Sequence, residues 1–150
     1  MARYTLTRRT LAALAGAGLA ALAVGAAHAD AAKPRIAAVV QSLDTEFNVL
    51  WANAANSHPL VKDGTVTLTV LDGRMDALTQ SNQFDTAISE KYDAIIFVPV
   101  DINAGNDPVE RAKAAGVPVI GSNTLISNTD LYNAYISSND VEAGKILAKA

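Results

Sequence analysis

From Pro34 onward the chain alternates between two apolar periods. Ile36 to Val40 is a short run with no polar interruption, too continuous for a strand with one wet face. Phe47, Leu50, Trp51, Ala54 and Ala55 then recur at helical spacing, and Pro59 stops that helix. Asp63-Gly64 is a turn. Thr65 to Leu71 predicts a second strand with Val66, Leu68 and Val70 on one face. Met75 to Lys91 predicts a helix whose inward stripe is Leu78, Phe84, Ala87 and Ile88. Ala94 to Val100 is a third strand, wholly apolar. Asn103 to Ala115 predicts a helix facing inward through Val109, Ala112 and Ala115, with Gly116 at its C-terminal end. Val117 to Gly121 is a fourth, short strand, and Leu131 to Ile136 a fifth. Val141 opens a last helix, which Asn139-Asp140 starts. Its stripe of Ala143, Ile146, Leu147 and Ala150 still runs where the sequence stops, so the pattern predicts a truncated chain.

Strands alternating with helices predict an α/β fold: a doubly wound parallel sheet of flavodoxin-like order, covered on both faces. Its crossovers are right-handed. In such sheets ligands bind beyond the carboxyl ends of the strands, where the strand order reverses. Those ends are Gln41 to Phe47, Leu71 to Asp76, Pro99 to Ala104 and Gly121 to Ser127, and all four are polar and loop-like. No internal repeat, low-complexity tract or linker interrupts the pattern.

The segment before Pro34 follows neither period. Arg3, Arg8 and Arg9 precede an uncharged run from Leu11 to Ala27 rich in Ala, Gly and Leu. Ala27-His28-Ala29 follows, with small residues at its first and third positions. A positive start, an apolar middle and a small-x-small exit are the parts of a cleaved signal peptide, here residues 1–29. The run lies at the lower edge of the roughly twenty residues that span a bilayer. Thr7-Arg8-Arg9-Thr10-Leu11 also resembles a twin-arginine signal, and both export routes stay open. No cysteine follows to carry a lipid. The mature part, residues 30–150, is expected outside the inner membrane as one domain with one core.

Charge and cysteine count narrow the function. Residues 1–29 hold three of the twelve basic residues and no acid. The remainder therefore has nine bases against fifteen acids, a net charge of −6. That argues against nucleic acid and anionic membranes as partners. The chain has no cysteine, and His58 is the one histidine left after cleavage. Thiolate or histidine metal sites, nucleophilic thiols and a His-based triad therefore lack material, and no metal or cofactor is expected. His58, before Pro59, reads as a surface residue. No Gly-rich phosphate loop with Lys-Ser/Thr and no GxGxxG follows a strand, so an enzyme is not expected.

Four stretches together carry a resemblance. They are Val39 to Phe47, Val70 to Asp101, Ala112 to Thr124 with its Gly-Val-Pro-Val-Ile strand, and Tyr135 to Lys145 with Ser-Asn-Asp-x-x-x-Gly-Lys. In order and spacing the set resembles the first lobe of periplasmic sugar-binding proteins of the ribose/galactose type, which serve ABC importers. The resemblance spans about residues 34–150. It implies two α/β lobes joined by a hinge, a type I periplasmic-binding-protein fold of which this chain is the N-terminal lobe. It implies a monosaccharide or polyol as ligand, an importer permease as partner and the periplasm as location. Contact with a chemoreceptor is compatible with that role.

The resemblance also implies site residues. In the loop after the first strand an aromatic stacks on the sugar, and Phe47 stands at the matching position. Ribose-type members carry Pro and two adjacent aromatics there, whereas this chain has Glu46-Phe47-Asn48. After the fourth strand they carry Asp-Arg, whereas this chain has Asn123-Thr124. Asn at the first of these positions matches glucose/galactose-type members, and Thr124 lacks the guanidinium fork. Both departures point away from ribose. The Ser138-Asn139-Asp140 segment is mainly structural. A sugar offers apolar C–H faces and a rim of hydroxyls, which aromatic rings and planar amides or carboxylates match. The candidate ligand-binding set is therefore Gln41, Phe47, Asn48, Asp101, Asn123 and Thr124, with Asp44 a further candidate. Thr45 is expected as a helix N-cap, Asp72 as the closure of the loop after the second strand, and Trp51 as core. The alternative is the sugar-sensing core of a transcriptional repressor. That reading needs a basic helix-turn-helix where this chain has a signal peptide.

Overall fold

A computed structural model describes residues 33–149. The expected signal, residues 1–29, and Ala150 lie outside the described residues. Five strands form one sheet: β1 (Arg35–Val40), β2 (Thr67–Asp72), β3 (Ala94–Phe97), β4 (Val119–Ser122) and β5 (Ala134–Ile136). All neighbours are parallel, and the order is β2-β1-β3-β4-β5, the flavodoxin-like order expected. The helices are α1 (Glu46–Asn56), α2 (Pro59–Lys62), α3 (Ala77–Ser89), α4 (Asn106–Ala114) and α5 (Asp140–Leu147).

β1 is the hub. The chain leaves it, returns on one side as β2, then crosses to the other side as β3. Ile36 consequently pairs with both Leu68 and Ala94, and Val39 with both Leu71 and Phe97. Ala37, Ala38, Val39 and Val40 are completely buried, so both faces of β1 are covered. That is the physical reason for its uninterrupted apolar run.

The two faces are covered unequally. On one, Phe84 and Ala87 of α3 and Val109 and Ala112 of α4 pack on Ala37, Val39, Ile95, Phe97 and Val119. The Phe84 and Phe97 rings meet edge to face, with centroids 4.8 Å apart. Arg111 of α4 fastens this layer, donating from Nε to Asp85 and from Nη2 to the Ser81 hydroxyl. On the other face, α1 and α2 leave an apolar groove of about 260 Å³. Ile36, Leu68 and Ile96 form its floor, and Ala55, Leu60 and Val61 line it from the helices.

Several sequence expectations need correction. The buried residues of α1 are Asn48 and Ala52, whereas Phe47 is 52% and Leu50 60% exposed and Trp51 is half-buried. The helix turns small side chains toward the molecule and its large apolar ones outward. Pro59 opens α2 rather than only stopping α1. It occupies the first helical position, where its missing N–H costs nothing, and His58 Nδ1 caps that turn by accepting from Leu60 N–H. β2 begins at Thr67, because Asp63 holds Thr65 N–H in the preceding turn and Leu60 C=O holds Val66 N–H. In α3 the inward position is filled by Gln80, not by the exposed Leu78. Ala115 is exposed because α4 ends at Ala114, and Gly116, at φ +77°, turns the chain away. Thr129–Leu131 form a single 3₁₀ turn, which delays β5 to Ala134. Asn139 does start α5, its side chain accepting from Glu142 N–H, but the stripe of Ala143, Ile146 and Leu147 is exposed rather than buried.

Candidate functional site

In an all-parallel sheet every carboxyl end lies along one edge. The reversal of strand order falls between β1 and β3, so the crevice expected of such a sheet opens between Gln41 and Pro99. These residues, 58 apart in sequence, are joined directly: Gln41 Nε2 donates to Pro99 C=O at 2.8 Å. Gln41 is therefore a tie across the crevice, and its Oε1 accepts nothing from the described residues. On its other side its C=O accepts from Met75 N–H at 2.8 Å, in the loop after β2.

The loop from Gln41 into α1 is held by its own short polar side chains. Ser42, fully buried, accepts from Asp44 N–H through Oγ, and its C=O accepts from the Thr45 hydroxyl. Thr45 stands at the N-cap position, yet its hydroxyl makes this bond rather than capping α1. Asp72 closes the next loop as expected, its Oδ1 accepting from Leu43 and Arg74 N–H. Phe47 stands in the first turn of α1 with half its surface in solvent. Asn48 is 1% exposed, and its Oδ1 has no partner among the described residues. Its amide lies within the protein rather than on the rim.

After β3, Asp101 Oδ1 accepts from the N–H groups of Asn103 and Ala104 at 2.8 Å each. Those two bonds, Ala104's first, hold its carboxyl below the usual carboxylate range. The group is thus an exposed carboxylate that also shapes its own loop. After β4, Asn123 adopts φ +64°, a left-handed conformation that Asn tolerates well. Its N–H donates to Ile136 C=O, and its C=O accepts from the Tyr135 hydroxyl at 2.8 Å. Its side-chain amide stays exposed, and Thr124 beside it is half-buried. Tyr135 in turn stacks on Tyr132, whose ring occupies the space a Cβ on Gly121 would need. Burial pushes the Tyr132 hydroxyl well above its ordinary pKa, with Tyr135 adding to the rise.

Gln41, Asp101 and Asn123-Thr124 thus follow β1, β3 and β4, three adjacent strands, along one edge. Phe47 stands at the start of α1 beside the first of them. The sequence reading missed the residues that hold this edge together: Gln80 and Gln83, whose side-chain amides donate to carbonyls at the ends of β1, β3 and β2, and the Tyr132–Tyr135 pair. A signal for the first did exist. Gln80, Phe84 and Ala87 recur at helical spacing, with Gln80 the polar member of that buried stripe. Among the described residues no group of acids and histidines could hold a metal ion.

A model of the periplasmic binding protein domain matches residues 36–150. The chain belongs to this family. It is 31% identical over 134 residues to a putative rhizopine-binding protein of Rhizobium meliloti, covering 87% of this chain and 42% of the relative. It is 28% identical over 129 residues to a xylitol-binding protein of Mycolicibacterium smegmatis, covering 86% and 36% respectively. Among solved structures, a solute-binding protein of an Agrobacterium vitis ABC transporter, with bound alpha-D-tagatopyranose, aligns with TM-score 0.67 and 25% identity. That alignment covers 78% of this chain and 42% of the other. The chain therefore spans about two fifths of the length of these relatives. They are binding and transport proteins, which does not favour the repressor alternative.

Proposed function

We propose that this chain is one lobe of a receptor that captures a monosaccharide or polyol in the periplasm and passes it to the permease of an ABC importer. The observation that carries the reading is the family match over residues 36–150. Chemistry at the carboxyl edge supports it. A half-exposed aromatic ring at Phe47, amides at Gln41 and Asn123, a hydroxyl at Thr124 and a carboxylate at Asp101 suit a ligand with C–H faces and a hydroxyl rim. The lobe itself does no chemistry in this reading. It forms one wall, and a second wall closing over the ligand would shift the population toward a form the permease accepts.

The test is an NMR titration of the chain with a panel of xylitol, myo-inositol, D-tagatose and D-galactose, sensitive to the weak binding expected of a single wall. At least one compound is expected to shift amides in Gln41–Asn48, Pro99–Ala104 and Asn123–Thr124. No shift with any compound would sink the reading. Phe47→Ala is expected to weaken the response about tenfold, or about 1.4 kcal/mol. Asn123→Gly keeps the left-handed backbone while deleting the amide, and is expected to weaken it similarly.

A further inference from the structure

Gln80 is one of three buried polar side chains among the described residues, and every hydrogen-bonding group of its amide is engaged. Its Nε2 donates to Val40 C=O at 3.1 Å and to Val98 C=O at 2.9 Å. Its Oε1 accepts from Val100 N–H at 2.9 Å. Val40 is the last residue of β1, and Val98 and Val100 flank Pro99 just beyond β3. One side chain on α3 therefore spans the two strand ends between which the crevice opens. It grips the residue before Gln41 and both neighbours of the carbonyl to which Gln41 donates.

Its surroundings serve the same point. Val40 C=O accepts a second bond from Gly73 N–H at 3.0 Å, which draws the loop after β2 onto the same atom. One turn further along α3, Gln83 Nε2 donates to Asp72 C=O at 2.7 Å, at the end of β2. Two amides three residues apart on one helix thus fix the carboxyl ends of β2, β1 and β3. A parallel ladder needs no such side chain for its own stability. The carbonyls that Gln80 engages lie where the ladder stops and the loops begin.

We propose that Gln80 is a positioning residue for ligand binding: it holds the Gln41 loop and the Pro99–Asp101 loop at fixed separation, so that their side chains meet a ligand already arranged. This rests on the polyol-receptor reading above. It extends that reading to a residue that touches no ligand. A site whose loops are fixed beforehand loses less freedom on binding, and the gain appears as affinity.

Gln80→Met tests it, because methionine keeps the length and volume while removing all three bonds. Two readouts are taken on the same chain. The first is hydrogen exchange of Val100 N–H, with Ile95 N–H, which donates to Pro118 C=O in the sheet, as the reporter of global opening. The second is the titration with xylitol, myo-inositol, D-tagatose and D-galactose. The expected result is Val100 exchange at least tenfold faster, Ile95 exchange unchanged, and affinity at least tenfold weaker for whichever compound the parent chain binds. Unchanged Val100 exchange, or unchanged affinity in a chain that does bind, overturns the proposal and leaves the receptor reading standing. A parent chain that binds none of the four overturns both. Should Ile95 also lose protection, Gln80→Glu decides instead. It retains an acceptor for Val100 N–H but sets a carboxylate against the Val40 and Val98 carbonyls. A weaker affinity then supports the proposal, and an unchanged one ends it.

Discussion

A methyl group at Gly73 would lie 2.4 Å from the Val40 carbonyl oxygen and 2.9 Å from Gln80 Cγ. Neither backbone nor clamp can yield without moving a strand end. Gly73→Ala is therefore expected to destabilise the chain by about 2 kcal/mol. Urea unfolding checks this: the midpoint falls while the slope is kept. Lys91 offers the opposite case. It follows α3 at φ +58°, where a side chain costs about 1–2 kcal/mol and glycine costs none. Glycine's greater freedom in the unfolded chain cancels about half of that. Lys91→Gly should thus raise stability by about 0.5 kcal/mol, read as a higher melting temperature. Asp76 caps α3 by accepting from Thr79, whose hydroxyl and then backbone N–H hold its pKa below the ordinary value of 3.8. A lowered folded pKa means that the cap's contribution is present above the unfolded value and is lost as pH falls through the folded one. Exchange protection at the start of α3 should therefore drop in acid below about pH 4. Asp76→Asn caps as well without ionising, and should remove that drop.

At the scale of elements, α3 carries both the core and the crevice. Phe84 is fully buried against Phe97, and Phe84→Ala is expected to cost about 3–5 kcal/mol in urea unfolding. The strands were legible in the sequence because a strand stretch covered on both faces must be apolar, and residues 36–40 of β1 and all of β3 are. The polar loops at the carboxyl ends were legible too, since topology alone places them. The orientation of α1 was not. Phe47 and Leu50 satisfy a helical period, yet they face solvent while Asn48 and Ala52 face inward. Apolar spacing identifies a helix, but it does not say which face a small residue needs for close approach. Gln80 escaped for the converse reason: a polar residue on the inward stripe is hidden from any reading that counts only apolar side chains.

For residues 33–149 as a whole, apolar surface is distributed unevenly. One face of the sheet is fully packed, while the other keeps an open groove. Ile136, Val141, Ile146 and Leu147 are each more than 60% exposed. Such a surface favours association. Replacing Ile146 and Leu147 together by Lys should reduce concentration-dependent sedimentation. It should leave the melting temperature nearly unchanged, because both side chains are already in water.

The central position of β1 also sets a clock. Its partner β3 lies about 60 residues further along the chain, as the 58-residue separations of Arg35 from Asp93 and of Gln41 from Pro99 record. No strand pair in this sheet can close locally, so loop-closure entropy must be met before any pairing rewards it, and refolding in milliseconds to seconds is expected. On a ribosome, β1 emerges before its partners and stays half-paired after β2 until Ala94–Phe97 has also left the exit tunnel. The crevice between β1 and β3 thus forms after the β1–β2 pair and before β4 and β5 join the sheet.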